Sequence, residues 1–276
     1  MATATLVLIS HAFSQTPSEN TPNIPNFFDP QDRLIRPSLK ERPRLRFLTV
    51  TDFPPFSFID PQKRLAGFHV ELARAICEEL ELQEQCQIQA LPYDELESAL
   101  NNGTGDALLA GIPIDAASRE RFSFSLPYFR IPARFAVKSE NAFREPLIKS
   151  LAGKSVGIID GTAHAAFGKT NFGDMKLRLF DTQQRAFDTL EKGEIDAVFS
   201  DALSLSFWLQ GKKGNACCEF IGEPYLAPAY FGRGLSIAVQ RDDLELRDGL
   251  DFALKSINAN GKFAELYLRY FPISLY

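Results

Sequence analysis

The segment LRFLTVTDFPPFSF, residues 45–58, decides the fold. Its first six residues are apolar apart from Arg46 and Thr49, and they include the β-branched and aromatic types typical of a short buried strand. Pro54 and Pro55 lack backbone donors and end the strand. Phe53 is therefore expected just past the C-terminal end of a strand, where ligands bind in open α/β sheets. The alternative is that Phe53 only anchors this loop to the core.

The composition excludes several classes of function. The chain has 276 residues, enough for one large domain or two modest ones, and 45% of them are hydrophobic, enough to build a sizeable core. The net charge is −5 and no basic stripe is present, so a nucleic-acid partner is not expected. No apolar run approaches the ~20 residues that span a bilayer.

The N-terminal residues 1–43 are predicted to precede the folded part. Residues 6–9 are apolar, and Ala12-Phe13-Ser14 resemble the end of a secretory signal, but the usual Lys/Arg segment is missing. Either the true start lies upstream of Met1 or this is not a signal. Residues 16–43 are polar and rich in Pro and Asn, which predicts a disordered leader outside the core.

The four cysteines give two separate predictions. Cys77 and Cys86 flank a predicted helix end and turn, so a disulfide is sterically plausible and would fit an oxidising compartment, while two reduced thiols remain the alternative. Cys217 and Cys218 are adjacent, and because a bond between neighbours is strained they are expected to be thiols. No CxxC, HExxH or similar spacing appears, so no metal and no cofactor are predicted.

A near-repeat gives the organisation of the chain. Residues 100–111 read LNNGTGDALLAG and residues 190–201 read LEKGEIDAVFSD. Each predicts a helix that ends on Gly, a turn, and a buried strand. Residues 155–159 predict a strand followed by a loop and a helix, in the same order as residues 45–50 and the loop and helix expected after them. The pattern predicts two similar α/β lobes, each a mostly parallel sheet flanked by helices.

The lobes are expected to be joined by two crossings, which would form a hinge. Prolines interrupt the pattern near residues 127–134, and the chain is predicted to return near residues 224–230. The expected division is a leader at 1–43, lobe 1 at 44–130 plus 230–276, and lobe 2 at 131–229.

If the lobes are equivalent, Gly111 and Asp201 face each other across a cleft. Gly111 would let its backbone approach a ligand closely. Asp201 suits a cationic amine, or it is simply the N-cap of the helix that follows. Thr162 at a helix N-terminus offers an anion site, or it too is a plain cap.

Three further side chains of lobe 1 are candidates for ligand contacts. Phe53 and Tyr93 both follow strands, so they could sandwich the apolar part of a ligand. Either Arg119 or Arg121 could direct its guanidinium at a carboxylate, and the other would be a surface charge. We expect Arg119 to be the carboxylate binder.

In these motifs the sequence resembles the solute-binding proteins of ABC importers, specifically solute-binding family 3, the polar amino-acid branch. The resemblance runs from about Arg44 to Pro272. The matching motifs occur in order: the strand and PPF loop at 45–56, GFHVELA at 67–73, DALLAGI at 106–112, FSFSLPYF at 122–129, SVGIIDGT at 155–162, DAVFSD at 196–201 and YFGRGLSIAV at 230–239.

The resemblance implies a two-lobed periplasmic-binding-protein fold of type II that closes on a small polar solute, an amino acid or a related compound. It implies delivery to a membrane permease, a monomer, a periplasmic location, and a Cys77–Cys86 disulfide seen in some members. The implied ligand-binding residues combine aromatic rings with hydrogen-bonding and charged groups. They are Phe53, Tyr93, Gly111, Ile112, Arg119, Thr162 and Asp201. Secondary candidates are Asp52, Asp115, Asp160 and His164.

Carried over by position, Phe53 and Tyr93 would stack on the ligand. Gly111 and Asp201 would bind the α-amino group, and Thr162 would help to bind the carboxylate.

The sequence departs from the family pattern at several of these positions. Pro113 stands where a Ser or Thr donor is usual, and the next such position is Asp115. The carboxylate-binding Arg would align with Ser118, whereas the nearest arginine is Arg119. His69 replaces an Asp, and Val50 stands where the family has an acid for cationic side chains. Asp115 would also disfavour an anionic ligand unless Arg119 neutralises it.

Two other functions remain open at the level of sequence. Periplasmic dehydratases of cyclic prephenate-like acids resemble this family, and for such an enzyme Asp115, Asp160 or His164 could act as general acid. A ligand-sensing module that signals to a partner is the other alternative. We expect binding rather than catalysis.

Overall fold

The computed structural model describes residues 24–276 except Pro30, Asp32, Ala142 and Pro272. The strands are β1 (Leu45–Thr49), β2 (Asp52–Phe53), β3 (Ser57–Ile59), β4 (Leu65–Ala66), β5 (Cys86–Ala90), β6 (Ala107–Leu108), β7 (Phe122–Phe124), β8 (Ala133–Lys138), β9 (Ser155–Ile159), β10 (Lys176–Phe180), β11 (Ala197–Asp201), β12 (Cys218–Tyr225) and β13 (Ala238–Gln240). The helices are α1 (Phe68–Glu79), α2 (Leu96–Asn101), α3 (Ala116–Arg121), α4 (Leu147–Ser150), α5 (Ala163–Asn171), α6 (Gln183–Glu191), α7 (Ala202–Gln210), α8 (Lys212–Cys217), α9 (Pro228–Phe231), α10 (Leu244–Ala259) and α11 (Lys262–Tyr270). A 3₁₀ turn, Tyr93–Glu95, precedes α2.

Two five-stranded sheets form the two lobes. Their spatial orders are β5-β1-β6-β13-β7 and β10-β9-β11-β8-β12, and a small hairpin sheet, β2-β3-β4, adjoins the first. In each lobe three strands are parallel, as predicted, and strands that lie next to a crossing between the lobes, β13 and β8, pair antiparallel to them. Each sheet is therefore mixed, with apolar clusters on both faces.

The near-repeat produces the same local geometry twice. Gly103 and Gly193 end their helices with positive φ angles of 72° and 73°. Three residues later, a carboxylate oxygen of Asp106 accepts the backbone N–H of Arg46 at 2.7 Å, and Asp196 accepts that of Ser155 at 2.8 Å. In lobe 1 this Asp ties the start of β6 to the start of β1, and in lobe 2 it ties the start of β11 to the start of β9.

The two crossings lie side by side; the first is residues 125–132, between β7 and β8, and the return crossing is residues 226–237, between β12 and β13. Phe129 and Leu235 form an antiparallel bridge, with the Leu235 N–H donating to the Phe129 carbonyl at 2.7 Å. Three residues beyond Phe129, the Pro132 carbonyl accepts the N–H of Ala202 at 2.8 Å. The start of α7 is thereby fixed to the first crossing.

Residues 33–43 differ from the expectation of a leader outside the core. Leu39 is only 4% exposed and belongs to the main cluster of lobe 1, where it lies beside Gly249 of α10. Arg42 forms a two-pronged ion pair with Asp243 at 2.7 and 2.8 Å, and Arg36 pairs with Glu81 at 3.0 Å. The expected signal falls in residues 1–23, which lie outside the described part of the chain.

The cysteine predictions have different outcomes. Cys77 and Cys86 form a disulfide between α1 and β5, with their Cα atoms 6.2 Å apart. The expectation of thiols at Cys217 and Cys218 is wrong, because the structure joins them in a disulfide at the junction of α8 and β12. The change from helix to extended backbone between the two residues accommodates the bond that a regular element would disfavour.

Candidate functional site

The lobe 1 part of the site is built around the contact between Phe53 and Gly111. Phe53 belongs to β2 rather than to a free loop, and its ring stacks on Phe56 with centroids 4.7 Å apart. Gly111 has a φ of 70°, and a Cβ built there would lie 3.0 Å from the Phe53 ring and 3.8 Å from Leu235. A side chain at residue 111 would therefore press on Phe53, so glycine keeps this ring and the strand end together.

Beneath Phe53 lies a buried polar pair that connects the hairpin to the first crossing. The His69 ring is fully buried, lies edge-on to Phe53 at 5.9 Å, and shares a 2.7 Å hydrogen bond with the Tyr128 hydroxyl. Burial lowers the pKa of His69 to about 3, against a contact with the Leu109 carbonyl that raises it. His69 is thus a neutral positioning group beneath the site and does not face a ligand.

Tyr93 and Ile112 line a second part of lobe 1. They share a cavity of about 270 Å³ with Pro113, Asp115 and Arg121. Tyr93 is 51% exposed and opens the 3₁₀ turn, whereas Ile112 is buried at 9%. The Arg121 guanidinium pairs with Glu97 and lies over the Phe122 ring at 5.3 Å, so its charge is already compensated.

Asp115 is occupied by a structural role. It is the N-cap of α3, where its carboxylate accepts the Ser118 N–H at 2.7 Å and the Ser118 hydroxyl accepts the Asp115 N–H at 3.0 Å. The Ser118 backbone donor lowers the pKa of Asp115, with Arg121 rather than Arg119 as the nearby charge. An acid held ionised in a capping box does not supply the general acid of the enzymatic alternative.

Arg119 lies apart from the other lobe 1 candidates. Its side chain is exposed, passes over the Phe124 ring at 6.0 Å, and lines a different cavity near the crossings. The side chain of Arg119 therefore does not line the cavity of Tyr93, Ile112 and Asp115, whereas Arg121 does.

The lobe 2 part begins with Thr162, the N-cap of α5. Its hydroxyl accepts the Ala165 N–H at 3.2 Å and donates to the Ile159 carbonyl at 2.7 Å. The hydroxyl proton is thus engaged, and what Thr162 can offer to an anion is the positive end of the helix that it starts.

Asp201 is held by its neighbours in one orientation. As the N-cap of α7 it accepts the Ser204 N–H on Oδ1 at 2.7 Å, and Gln183 Nε2 donates to Oδ2 at 3.1 Å. The capping role considered for Asp201 is thus real. It also leaves a partly buried carboxylate with remaining acceptor capacity, which is what a cationic amine requires.

His164 lies next to Asp201 and packs on the return crossing. Its ring stacks on Phe231 with centroids 4.9 Å apart. Burial lowers the pKa of His164, and the Asp201 carboxylate opposes that shift. The protonation of His164 is therefore linked to the charge of Asp201.

The remaining secondary candidates are surface residues. Asp160 is exposed and pairs with Lys169 at 3.6 Å, and Asp52 is an exposed residue of β2.

Both parts of the site adjoin the same pair of crossings. Gly111 lies next to Leu235 of the return crossing. The N–H of Ala202, the residue after Asp201, donates to the Pro132 carbonyl of the first crossing. Because Phe129 and Leu235 are themselves paired, the two equivalent strand ends flank one hinge. A small solute between them would touch both lobes.

Gln183 was not among the residues predicted for the site. The repeat could have found it, since Gln183 stands seven residues before Leu190 just as Tyr93 stands seven before Leu100. Gln183 and Tyr93 are thus equivalent positions at the helix that precedes each repeat. Phe231, the partner of His164, carries no such signal in the sequence.

The described residues contain neither a candidate metal centre nor a candidate membrane span. In the described part of the chain, no group of three or more His, Cys, Asp or Glu side chains is arranged to hold a metal ion. Among the same residues, no helix is both long and apolar enough to cross a bilayer.

Comparison with known families identifies the chain. The model of the bacterial extracellular solute-binding proteins, family 3, matches residues 45–273. The chain belongs to this family. As a family 3 solute-binding protein it binds a small solute for import by an ABC transporter.

Two relatives and one solved structure illustrate the match. The chain is 30% identical to ABC transporter arginine-binding protein 1 of Escherichia coli K12, over 83% of this chain and 91% of the relative. It is 30% identical to the L-arginine-binding protein of Pseudomonas aeruginosa, over 81% and 86%. The L-cystine solute receptor of Neisseria gonorrhoeae, in an unliganded open conformation, shares the fold with a TM-score of 0.72 at 19% identity, over 84% and 94%.

Proposed function

We propose that this solute-binding protein takes an α-amino acid into the cleft between its lobes and presents the closed form to the permease of an ABC importer. The observation that carries the proposal is Asp201, a partly buried carboxylate fixed by Ser204 and Gln183 on one side of the hinge. It would receive the α-amino group, and the Gly111 carbonyl would receive it from lobe 1. The Phe53 ring would cover the apolar part of the ligand.

The relatives support an amino acid and suggest which to test first. Those from Escherichia coli K12 and Pseudomonas aeruginosa are named for arginine. In this chain, however, Val50 is apolar and only 4% exposed, so it offers nothing to a guanidinium. We infer that no acid at residue 50 binds the side chain of the ligand. Neutral amino acids are therefore candidate ligands in addition to arginine.

Binding without catalysis is the better interpretation of the acids near the cleft. Asp115 is kept ionised by its helix cap, and Asp160 pairs with Lys169 at the surface. An enzymatic general acid requires a group that is protonated near neutral pH and within reach of substrate.

We further propose that the protein acts in the periplasm as a monomer.

Asp201→Asn tests the proposal without disturbing the fold, because Asn caps helices as well as Asp does. In calorimetric titrations against the twenty standard amino acids, at least one should bind the wild type. The variant should bind that amino acid about thirty-fold more weakly, since a hydrogen bond to a charged group contributes about 2 kcal/mol.

The matched control is Asp181→Asn, which removes an exposed acid of lobe 2 that pairs with Arg185. Its affinity should equal that of the wild type. Equal affinities in Asp201→Asn and Asp181→Asn, or no amino acid that binds the wild type, would reject the proposed role.

A further inference from the structure

A cavity of about 620 Å³ lies beside the hinge rather than between Phe53 and Asp201. Its walls are the loop after β7, the segment that leads into β13, helices α3 and α10, and the return crossing. β7 is the edge strand of its sheet, so the cavity is open on that side. Of the residues predicted for the ligand cleft, Arg119 alone lines it.

The lining of the cavity is strongly cationic. Arg119, Arg130, Arg233 and Arg247 contribute four guanidinium groups, and Asp251 contributes one carboxylate. That carboxylate accepts the Leu126 N–H at 2.6 Å and so braces the loop after β7. Even with Asp248, which pairs with Arg247, four positive charges stand against two negative charges, and this excess favours an anion.

Two of these arginines are free to bind a ligand. Arg247 already pairs with Asp248, at 2.5 and 2.9 Å. By contrast, no carboxylate of the described residues lies within 4.0 Å of the guanidinium of Arg119 or Arg233. A guanidinium presents paired N–H donors that match the oxygens of a carboxylate or phosphate.

Two buried polar atoms on the cavity wall lack partners within the described residues. Ser236 is 1% exposed and its hydroxyl has no hydrogen-bond partner, and the buried Nε of Arg130 has none either. An unsatisfied buried polar group is costly, and native structures rarely leave one without a partner. Both atoms have almost no accessible surface, so they mark a cavity wall that is short of acceptors and are not themselves donors facing a ligand.

We propose that this cavity is an anion site that takes a small oxyanion, a carboxylate or a phosphate, with the guanidinium groups of Arg233 and Arg130 as donors and Arg119 completing the field of positive charge. The site is separate from the amino-acid cleft and does not depend on its ligand. Because Arg130 belongs to the first crossing and Arg233 to the return crossing, a bound oxyanion would contact both connections between the lobes.

The test is a titration of the full chain with succinate and, in a second arm, with inorganic phosphate, monitored by calorimetry and by melting temperature at constant ionic strength. At least one of the two anions should bind and raise the melting temperature as its concentration rises. Arg233 is exposed, so its replacement leaves the core intact. The variant Arg233→Gln should weaken anion binding at least tenfold.

The control Arg178→Gln removes an exposed arginine of β10 in lobe 2 and should bind the anion like the wild type. Asp201→Asn should also retain anion binding, which separates this site from the amino-acid cleft. The proposal fails if sodium chloride at the same ionic strength gives the same thermal shift, if Arg233→Gln binds like the wild type, or if Asp201→Asn loses the anion. Which anion binds, succinate or phosphate, identifies the kind of oxyanion.

Discussion

At the scale of single residues, helix caps determine which carboxylates near the proposed cleft remain open to a ligand. Phe53 and Gly111 were predicted to border a ligand, and they are in contact with each other. Asp115 was a secondary candidate near the cleft, and its capping box with Ser118 uses that carboxylate. A side chain that can cap a helix or bind a ligand has the same spacing in both cases, so only the geometry separates the two.

His69 gives a residue-scale prediction for stability. Because burial lowers its pKa to about 3, the native state cannot protonate it where the unfolded chain does, at a pKa near 6.5. The native state therefore loses stability as the pH falls below 6.5. At pH 4.5, two units lower, the loss amounts to about 3 kcal/mol.

Replacing His69 with Gln, which does not titrate and can still bond the Tyr128 hydroxyl, should remove that loss. Urea denaturation of the wild type and His69→Gln at pH 7.5 and pH 4.5 measures it. The free energy of unfolding should fall about 3 kcal/mol more in the wild type over this interval. Parallel declines in the two proteins would show that His69 is not buried as a neutral ring.

At the scale of elements, the repeat was informative because its signals are local. Gly103 and Gly193 end helices, and Asp106 and Asp196 tie neighbouring strands together. The segment 33–43 could not be predicted in this way. Its contacts join residues far apart in the chain, such as Arg42 and Asp243, and its polar composition is typical of a linker.

Leu39 tests whether this segment is part of the fold. Leu39→Ala should lower the free energy of unfolding by about 3 kcal/mol, because it empties a buried position next to Gly249. Ile35→Ala is the control in the same segment, since Ile35 is 89% exposed and its loss should change the free energy by less than about 0.5 kcal/mol. Urea unfolding of both variants measures the difference, and two neutral substitutions would mean that the segment does not pack on α10.

At the scale of the whole molecule, the two lobes share more than the two crossings. Ala202 and Leu203 at the start of α7 belong to the apolar cluster of lobe 1, and Ile273 near the C-terminus packs on a cluster of lobe 2. The Tyr276 hydroxyl donates to the Arg130 carbonyl on the first crossing. The hinge is therefore braced from both sides, and closure would pivot about a defined axis near Phe129 and Leu235 rather than about a loose linker.

In the proposed mechanism, Phe53 and Gly111 on one lobe and Asp201 on the other bind one amino acid, and the lobes close around it. Small-angle X-ray scattering, with and without the amino acid that binds in the titrations, measures that closure. The radius of gyration of the wild type should decrease at saturation, and that of Asp201→Asn at the same ligand concentration should not. A radius of gyration that stays unchanged in the wild type while the amino acid is bound would contradict the claim.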